Sequence, residues 1–542
     1  MTHLAVLHHT DDAATIAALQ SAPWRSAAGL RVSVAPLTQA RSVDADCVLV
    51  VGDATGTSTD DVGAMLDALA RHAPLIVAGT LVTDAVLAER SGVSPTVVTP
   101  PHEIRVRPAD GVDPRRMEDL LITGRLVITD KVADDVDVLA TANVGFTDYP
   151  ALLFRPTTGI GALLLAMTPA SWSDRETLRF VHHVTLAVTG ASEPADVAVG
   201  MIGYGAIGHE HALAVTAVPG LRLAAVSDPN PARLEVARTV ADDVLAFDDS
   251  DVLLAEAGVD LVVVSTPPNT HADWARRALS AGTHVVLEKP MALTAADCDE
   301  VMVLADASNR LAVVYQNRRF DPDYLVMRRL VAQGAVGELF HVESFVGGYG
   351  HPCNYWHSDA DVSGGAIFDW GSHYIDQLLD LMPGEVAHVT AANHKRVWHD
   401  VTNSDHSRVT IHFDDGRQAD FIHSDLAAAP KPKWWALGTH GAIRGDWRSE
   451  RVVGRSAIGT LDEDVLALAD SPAAMSLHAP DGSVTALAVP PAPPFAFHRE
   501  LADHLLRGLP MSVDAAQSRR VVAVMEAAER SAAAGSAPVR LP

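Results

Sequence analysis

The sequence predicts an α/β protein of more than one domain, and three observations carry that expectation. Short apolar runs alternate with helix-length amphipathic runs through the first two thirds of the chain, the pattern of a parallel sheet covered by helices. Past residue 320 the texture changes, and strand-length segments follow one another directly. The length of 542 residues, at roughly 150 per domain, makes room for about three or four folding units.

Leu4–Leu7, Leu30–Val34, Cys47–Val51 and Leu75–Ala78 read as buried strands, with Asp61–Arg71 among the helices between them. Val136–Thr141 and Gly161–Met167 add strands, and Ser173–Val188 reads as a helix capped by Ser173. The turn-forming stretch Thr189-Gly190-Ala191-Ser192-Glu193-Pro194 marks a boundary, so a first domain covers 1–190. Alternation restarts with Val197–Ile202, Leu221–Ser227, Leu261–Ser265, His284–Leu287 and Leu311–Tyr315, giving a second domain over 196–318. Phe340–Val346, Val386–Ala392, Ser407–Phe413 and Gln418–His423 predict an open antiparallel or mixed sheet in an α+β domain over 319–542. Asp414-Asp415-Gly416-Arg417 is the turn between the last two of these strands. Pro490-Pro491-Ala492-Pro493-Pro494 reads as a stiff connector before a last helix.

Composition narrows the function classes. Hydrophobic residues make up 48% and charged residues 20%, so the chain can bury real cores. Lys+Arg 41 against Asp+Glu 68 leaves a net charge of −27, which repels phosphate backbones and anionic lipid; neither nucleic acid nor membrane is an expected partner. No run approaches the ~18 apolar residues of a membrane helix, and Met1–Thr10 has no basic-then-apolar leader pattern. Cys47, Cys298 and Cys353 lie far apart, without a disulfide framework or a paired-Cys zinc motif. A cytoplasmic protein is expected.

The chemistry starts at Gly203-Tyr204-Gly205-Ala206-Ile207-Gly208, which follows the strand Val197–Ile202 and opens a helix-forming run. Such a loop turns tightly, lets backbone approach a pyrophosphate, and aims a helix N-terminus at the anion. Asp228, at the end of the next strand, is placed to accept from the adenosine ribose hydroxyls and to repel a 2′-phosphate. NAD is therefore expected over NADP; the bland alternative is a structural glycine turn.

Three further motifs follow in order: Ser265-Thr266-Pro267-Pro268-Asn269-Thr270-His271, Glu288-Lys289-Pro290, and Gly364-Gly365-Ala366-Ile367-Phe368-Asp369-Trp370-Gly371-Ser372-His373. Together with the glycine loop, these resemble the Gfo/Idh/MocA family of NAD(P)-dependent sugar and cyclitol dehydrogenases over about 196–542. The resemblance implies a Rossmann domain followed by a domain whose sheet forms a subunit interface, hence a homo-oligomer, dimer or tetramer. It implies cofactor contacts from the glycine loop, Asp228, Thr266, Pro267, Asn269, His271, Glu288, Lys289 and Gln316. It also gives Lys289 the reacting hydroxyl and the nicotinamide ribose, and makes His373 the acid/base.

Residue chemistry agrees. Alcohol oxidation needs a base and a group to hold the oxygen. Asp369 and His373 are i and i+4 on the expected helix, hence on one face, where a carboxylate can orient an imidazole. Arg318 and Arg319 follow the sixth strand; one binds substrate or serves a structural ion pair. His351, Cys353 and His357 precede the Asp/His helix, and His351 and His357 are expected to line the substrate pocket, with no metal site. Trp434 and Trp435 fit either sugar stacking or packing.

The front domain resembles the ThuA-like group, with the flavodoxin-like fold of class I glutamine amidotransferases. Pro101-His102-Glu103-Ile104, Asp137-Val138-Leu139-Ala140-Thr141, Gly159–Met167 and Arg179-Phe180-Val181-His182 carry that likeness. A glutaminase needs a nucleophilic thiol on a turn after a strand. Leu75–Gly79 leads instead to Thr80 and Leu81, and Cys47 sits in a strand. The combined expectation is an NAD-dependent dehydrogenase acting on a ring hydroxyl of a sugar, glycoside or cyclitol. The alternatives are an NAD-dependent glycoside-cleaving enzyme and a non-catalytic NAD-binding scaffold; Lys289, Asp369 and His373 argue against the last.

Overall fold

The computed structural model describes residues 2–10, 12–21, 30–37, 45–52, 59–78, 80–100, 102–109, 120–144, 147–168, 175–189, 195–241, 243–353, 355–448, 451–453 with 454–455, 461–465, 472–492 and 494–542. The expected boundary at 190–194, the cap Ser173 and Pro493 lie outside these residues. The chain divides into two units, Met1–Asp196 with Glu500–Met511, and Val197–Arg499 with Ser512–Pro542.

In the first unit five parallel strands stand in the order Leu30–Pro36, Thr2–His9, Cys47–Gly52, Leu75–Ala78, Ile160–Leu163. Cys47–Gly52 and Leu75–Ala78 are buried throughout, as unbroken apolar runs covered on both faces should be. The sheet continues antiparallel through Thr147–Arg155, Asp137–Val144, His102–Pro108 and Leu120–Val132. The returning segment Glu500–Met511 brings Asp503 to the helix Arg175–Thr189, where its carboxylate accepts from Arg179 Nε at 2.9 and 3.0 Å and from Arg175 at 3.3 Å. Arg507 donates to the same carboxylate at 2.8 Å. No local motif announces this return.

The second unit begins with six parallel strands in the order Leu245–Phe247, Leu221–Ser227, Val197–Ile202, Leu261–Val264, His284–Leu287, Ala312–Val314. That is the doubly wound order of dinucleotide-binding sheets, whose ligands sit at the strands' carboxyl ends. Short and half-exposed, Leu245–Phe247 carried too weak an apolar pattern to be expected.

An eight-stranded sheet follows: Val386–His394, His406–Phe413, Gln418–Ser424, Leu339–Gly347, Trp434–Gly438, Gly441–Asp446, Ala474–His478, Val484–Ala486. It is mixed, since Leu339–Gly347 runs parallel to Gln418–Ser424 while the other pairs are antiparallel. Val389, Val409, Ile411, Phe421, Trp434 and Ile443 turn to one buried face, packed with the almost wholly buried helix Gly371–Leu381. The helix Ala515–Ala533, opened by an Asp514/Gln517 capping box, joins the same core. The opposite face carries His388, Thr410, His412, Asp420, Glu343 and Trp435 in cross-strand register.

Candidate active site

The glycine loop is built for an anion. Gly203 has φ +87, and a Cβ there would lie 2.8 Å from the Ser265 carbonyl oxygen. Gly208 packs against the Gly203 carbonyl, which a Cβ would approach to 2.7 Å. Gly205 caps the helix Ala206–Ala217 without any side-chain bond, and no atom lies within 4 Å of where its Cβ would be. The N-terminus of that helix thus has no side-chain cap and has room beside Gly205, which fits a pyrophosphate. The Tyr204 ring is wholly buried, so only its backbone serves the loop.

Asp228 is 2% exposed. Its carboxylate accepts from Tyr204 N and Asn230 N at 2.8 Å each and from Arg233 Nη1 at 3.2 Å. It therefore holds the loop closed in addition to any contact with a ribose.

Lys289 and Asp369, distant in sequence, meet at 2.9 Å, Nζ to Oδ1. Lys289 also donates to the Asp369 carbonyl oxygen at 3.2 Å, and Ser372 Oγ donates to the same oxygen at 2.8 Å. The helix is interrupted at Trp370, between Ala366–Asp369 and Gly371–Leu381. This corrects the expected Asp369/His373 pair on one continuous helix. Asp369 turns to Lys289 and to His357 Nδ1 at 3.4 Å. Burial opposes its charge, but Lys289 and His357 outweigh that and hold its carboxyl far below the usual carboxylate range. His373 is 6% exposed, with no hydrogen-bond partner for Nδ1 among the described residues. Burial, reinforced by the Lys289 and Arg318 cations, pushes its imidazole well below the ordinary value.

Behind this cluster, Glu288 accepts from Lys289 N at 3.1 Å and meets His211 Nε2 at 3.0 Å. The other His211 nitrogen meets His498 Nε2 at 2.8 Å. Glu288 is thus engaged from behind the strand end. His271 is fully buried, its ring nitrogens 2.7 Å from the Pro290 and 2.8 Å from the Thr266 carbonyl oxygens. It ties two strand-end loops together and is enclosed away from a ligand, against the expectation of a cofactor contact. Thr266 bonds Thr270 at 2.7 Å, Pro267 caps the following turn, Asn269 is exposed and Gln316 is buried.

The two arginines separate. Arg319 is 3% exposed and grips Asp376 through two bonds of 2.6 and 2.7 Å, so it is the structural one and not a substrate ligand. Arg318 lies over Trp370 at 5.4 Å, beside His373. His351 pairs with Asp400 at 2.8 Å and lies edge-on to Trp398. Trp434 is fully buried, which removes it from sugar stacking, whereas Trp435 is 46% exposed. Sequence reasoning missed His423. It is 5% exposed and 3.5 Å from Asp425, and burial lowers its imidazole to about 4. Its place in a strand pattern gave no signal.

Residues 197–316 match the oxidoreductase family with an NAD-binding Rossmann fold, and residues 324–444 match the GFO/IDH/MocA C-terminal domain. The chain carries the NAD-binding and C-terminal domains of the Gfo/Idh/MocA family. NAD is the cofactor of the Rossmann domain.

Inositol 2-dehydrogenase 1 of Saccharopolyspora erythraea is 40% identical over 145 residues, 26% of this chain and 43% of that protein. The scyllo-inositol 2-dehydrogenase (NAD(+)) of Bacillus subtilis is 29% identical over 275 residues, 48% of this chain and 77% of that one. An NAD-binding protein from Listeria innocua superposes with a TM-score of 0.54 at 26% identity, covering 64% of this chain and 97% of its own. The chain spans about half the length of the curated relatives it matches, 49%, 40% and 54% for three of them. Among the described residues, no helix is long and apolar enough to cross a membrane.

Proposed function

We propose that the chain is an NAD-dependent dehydrogenase that oxidises a secondary ring hydroxyl of a sugar, glycoside or cyclitol. The observation that carries this is the Lys289–Asp369 pair at 2.9 Å, with His373 beside it and the uncapped glycine-loop helix in the same unit. When bound, NAD+ supplies a hydride acceptor. The glycine loop and Asp228 hold it, and the Asp228 carboxylate disfavours a 2′-phosphate. Lys289, oriented by Asp369, holds the reacting oxygen, and His373 shares its hydroxyl proton. Arg318 and the rim residue His351 contribute to substrate binding.

The relatives' names favour a cyclitol or sugar. The test is a panel of sugars, glycosides and cyclitols followed by NADH absorbance. Failure of every polyol to reduce NAD+ overturns this reading.

The same proposal extends to assembly, place and front unit. A cytoplasmic homo-oligomer, dimer or tetramer, forms through the open face of the mixed sheet, where Trp435 is exposed; light scattering tests it. The first unit is a flavodoxin-like, ThuA-like domain without amidotransferase chemistry. The parallel strand order supports the first part, and Cys47, 1% exposed with burial pushing its thiol up to about 12, supports the second.

A further inference from the structure

We propose that Tyr349, Trp398 and the His351–Asp400 pair form a shelf for a second sugar ring, so that the substrate is a two-ring glycoside. The proposal deepens the dehydrogenase reading and rests on it. It starts from the connection 395–405 between Val386–His394 and His406–Phe413, longer than the roughly 2–5 residues usual for a hairpin. That connection is fixed from inside. Asp405, 1% exposed, receives Lys395 Nζ at 2.9 Å on one carboxylate oxygen and the amides of Arg396 and Val397 at 2.5 and 2.7 Å on the other. Burial opposes its charge, but the two amides and Lys395 outweigh that and lower the carboxyl to about 2. The loop is thus held in one shape, and it presents Trp398 and Asp400.

Trp398 is half-buried, with the His351 ring edge-on at 4.8 Å and the Tyr349 ring edge-on at 6.2 Å. Tyr349 follows the strand Leu339–Gly347 and is 62% exposed. Its backbone is pinned by a bridge to Leu426, and Gly350 N donates to the Asp425 carbonyl oxygen at 3.2 Å. Beside these rings His351 Nε2 meets Asp400 Oδ2 at 2.8 Å, and Nδ1 meets the Pro352 carbonyl oxygen at 2.5 Å. Both ring nitrogens therefore face acceptors, and the bond to Asp400, then that to Pro352, raises the imidazole above its ordinary value. A pyranose has the matching parts. Its apolar C–H face suits aromatic rings, and its neighbouring hydroxyls donate to a carboxylate and accept from an imidazolium. Asp400 and His351 offset each other in charge, which favours neutral hydroxyls over a phosphate.

The shelf adjoins the reacting residues and shares none of them. Asn403 Nδ2, in the same loop, donates to the His357 carbonyl oxygen at 2.7 Å, and Thr402 Oγ1 accepts from Ala360 N at 2.7 Å. That bonded segment leads to Asp369, whose Oδ1 lies 3.4 Å from His357 Nδ1. Asp425, beneath Gly350, feels the charges of both Asp369 and His351. A ring whose hydroxyl sits at Lys289 and Asp369 leaves Trp398 and Tyr349 to whatever is linked to that ring. A sugar joined through a glycosidic bond fits this position, whereas a free monosaccharide or cyclitol leaves it uncovered. The shelf also lies at strand ends, off the open sheet face assigned to assembly.

The full chain tests this by NADH absorbance with cellobiose, maltose, lactose, sucrose and galactinol against glucose, galactose and myo-inositol. A two-ring compound should give the highest kcat/KM. Trp398→Ala and Tyr349→Ala should each cut the preference for that compound over its one-ring component by about tenfold, through KM more than kcat. Tyr349 is exposed, so its variant keeps the test alive if Trp398→Ala fails to fold. Trp398→Phe keeps an aromatic face and should recover most of the preference. A structural role for the Trp398 Nε1 bond to the Asp425 carbonyl oxygen, 3.5 Å long, does not allow that recovery. A preference that falls by less than about threefold in the folded variants overturns the proposal. So does a changed mass in light scattering with the preference intact, which makes the shelf a subunit contact. A protein whose best substrate has one ring sinks this proposal alone. One that oxidises no polyol sinks the dehydrogenase reading and the shelf with it.

Discussion

Both units of the chain are built on parallel strands, yet they spend the strand ends differently. In the second unit four of those ends carry the candidate site residues: Gly203–Gly208 after Val197–Ile202, Asp228 after Leu221–Ser227, Ser265 and Thr266 after Leu261–Val264, and Glu288-Lys289 after His284–Leu287. In the first unit Leu75–Ala78 runs into a turn whose Leu81 and Val82 are buried, and Cys47 stands at the start of a strand within the core. Both sheets have a parallel core, and the residues at the described strand ends are what distinguish them.

The largest effect that sharpens this contrast is expected at the proposed catalytic rim. Lys289→Ala should lower turnover by about 10²–10⁴-fold while calorimetric NAD binding persists. An equal loss of NAD affinity shifts its role from the hydroxyl to the cofactor. In the front unit the sensitive point is structural instead. Asp503→Ala removes the buried carboxylate that Arg175, Arg179 and Arg507 share, and denaturant unfolding should show a loss of about 3–5 kcal/mol in that unit.

A third prediction concerns acid. Burial, and next the Arg507 cation, lowers His182 to about 4 and His183 to about 2 from 6.5. Below about 6.5 the unfolded chain takes up protons that the folded unit refuses, so stability falls as pH drops toward 4. Hydrogen exchange in Arg175–Thr189 should speed up over that window, and His182→Phe should flatten the trend.

Cofactor choice should respond more mildly. Asp228→Ala should narrow the gap between NAD and NADP dissociation constants by roughly tenfold, the worth of one charge-assisted contact. Because Asp228 also binds Tyr204 N, NAD itself should loosen somewhat. The smallest effect is at Asp425, which burial and then the Asp405 charge raise to about 6 from 3.8. The folded state favours its neutral form, so its contribution to stability is lost as pH rises from about 4 to about 6. Asp425→Asn should remove that slope in thermal melts.

Local pattern carried much of this architecture. Apolar runs such as Val197–Ile202 and His284–Leu287 announce buried strands because both faces are covered, and the glycine loop is legible because its backbone tolerates few other residues. What stayed hidden depends on partners far along the chain. That Asp369 turns to Lys289 and His357 depends in part on a lysine 80 residues upstream. Arg319 and Arg318 look alike in sequence, and only the position of Asp376 tells them apart. Long strands such as Leu120–Val132 carry Arg, Asp and Lys, which masks their alternation.

The return of Glu500–Met511 to the first unit has a consequence for synthesis. A ribosome that has released the first 196 residues has released a unit still lacking Asp503, the shared partner of Arg175, Arg179 and Arg507. The nascent front unit must wait for that carboxylate until translation has passed residue 511. A gene cut at Ser192 would therefore not yield two independent products: the downstream piece would carry an orphaned segment, and co-expression of both halves in one cell would be the natural way to reunite them.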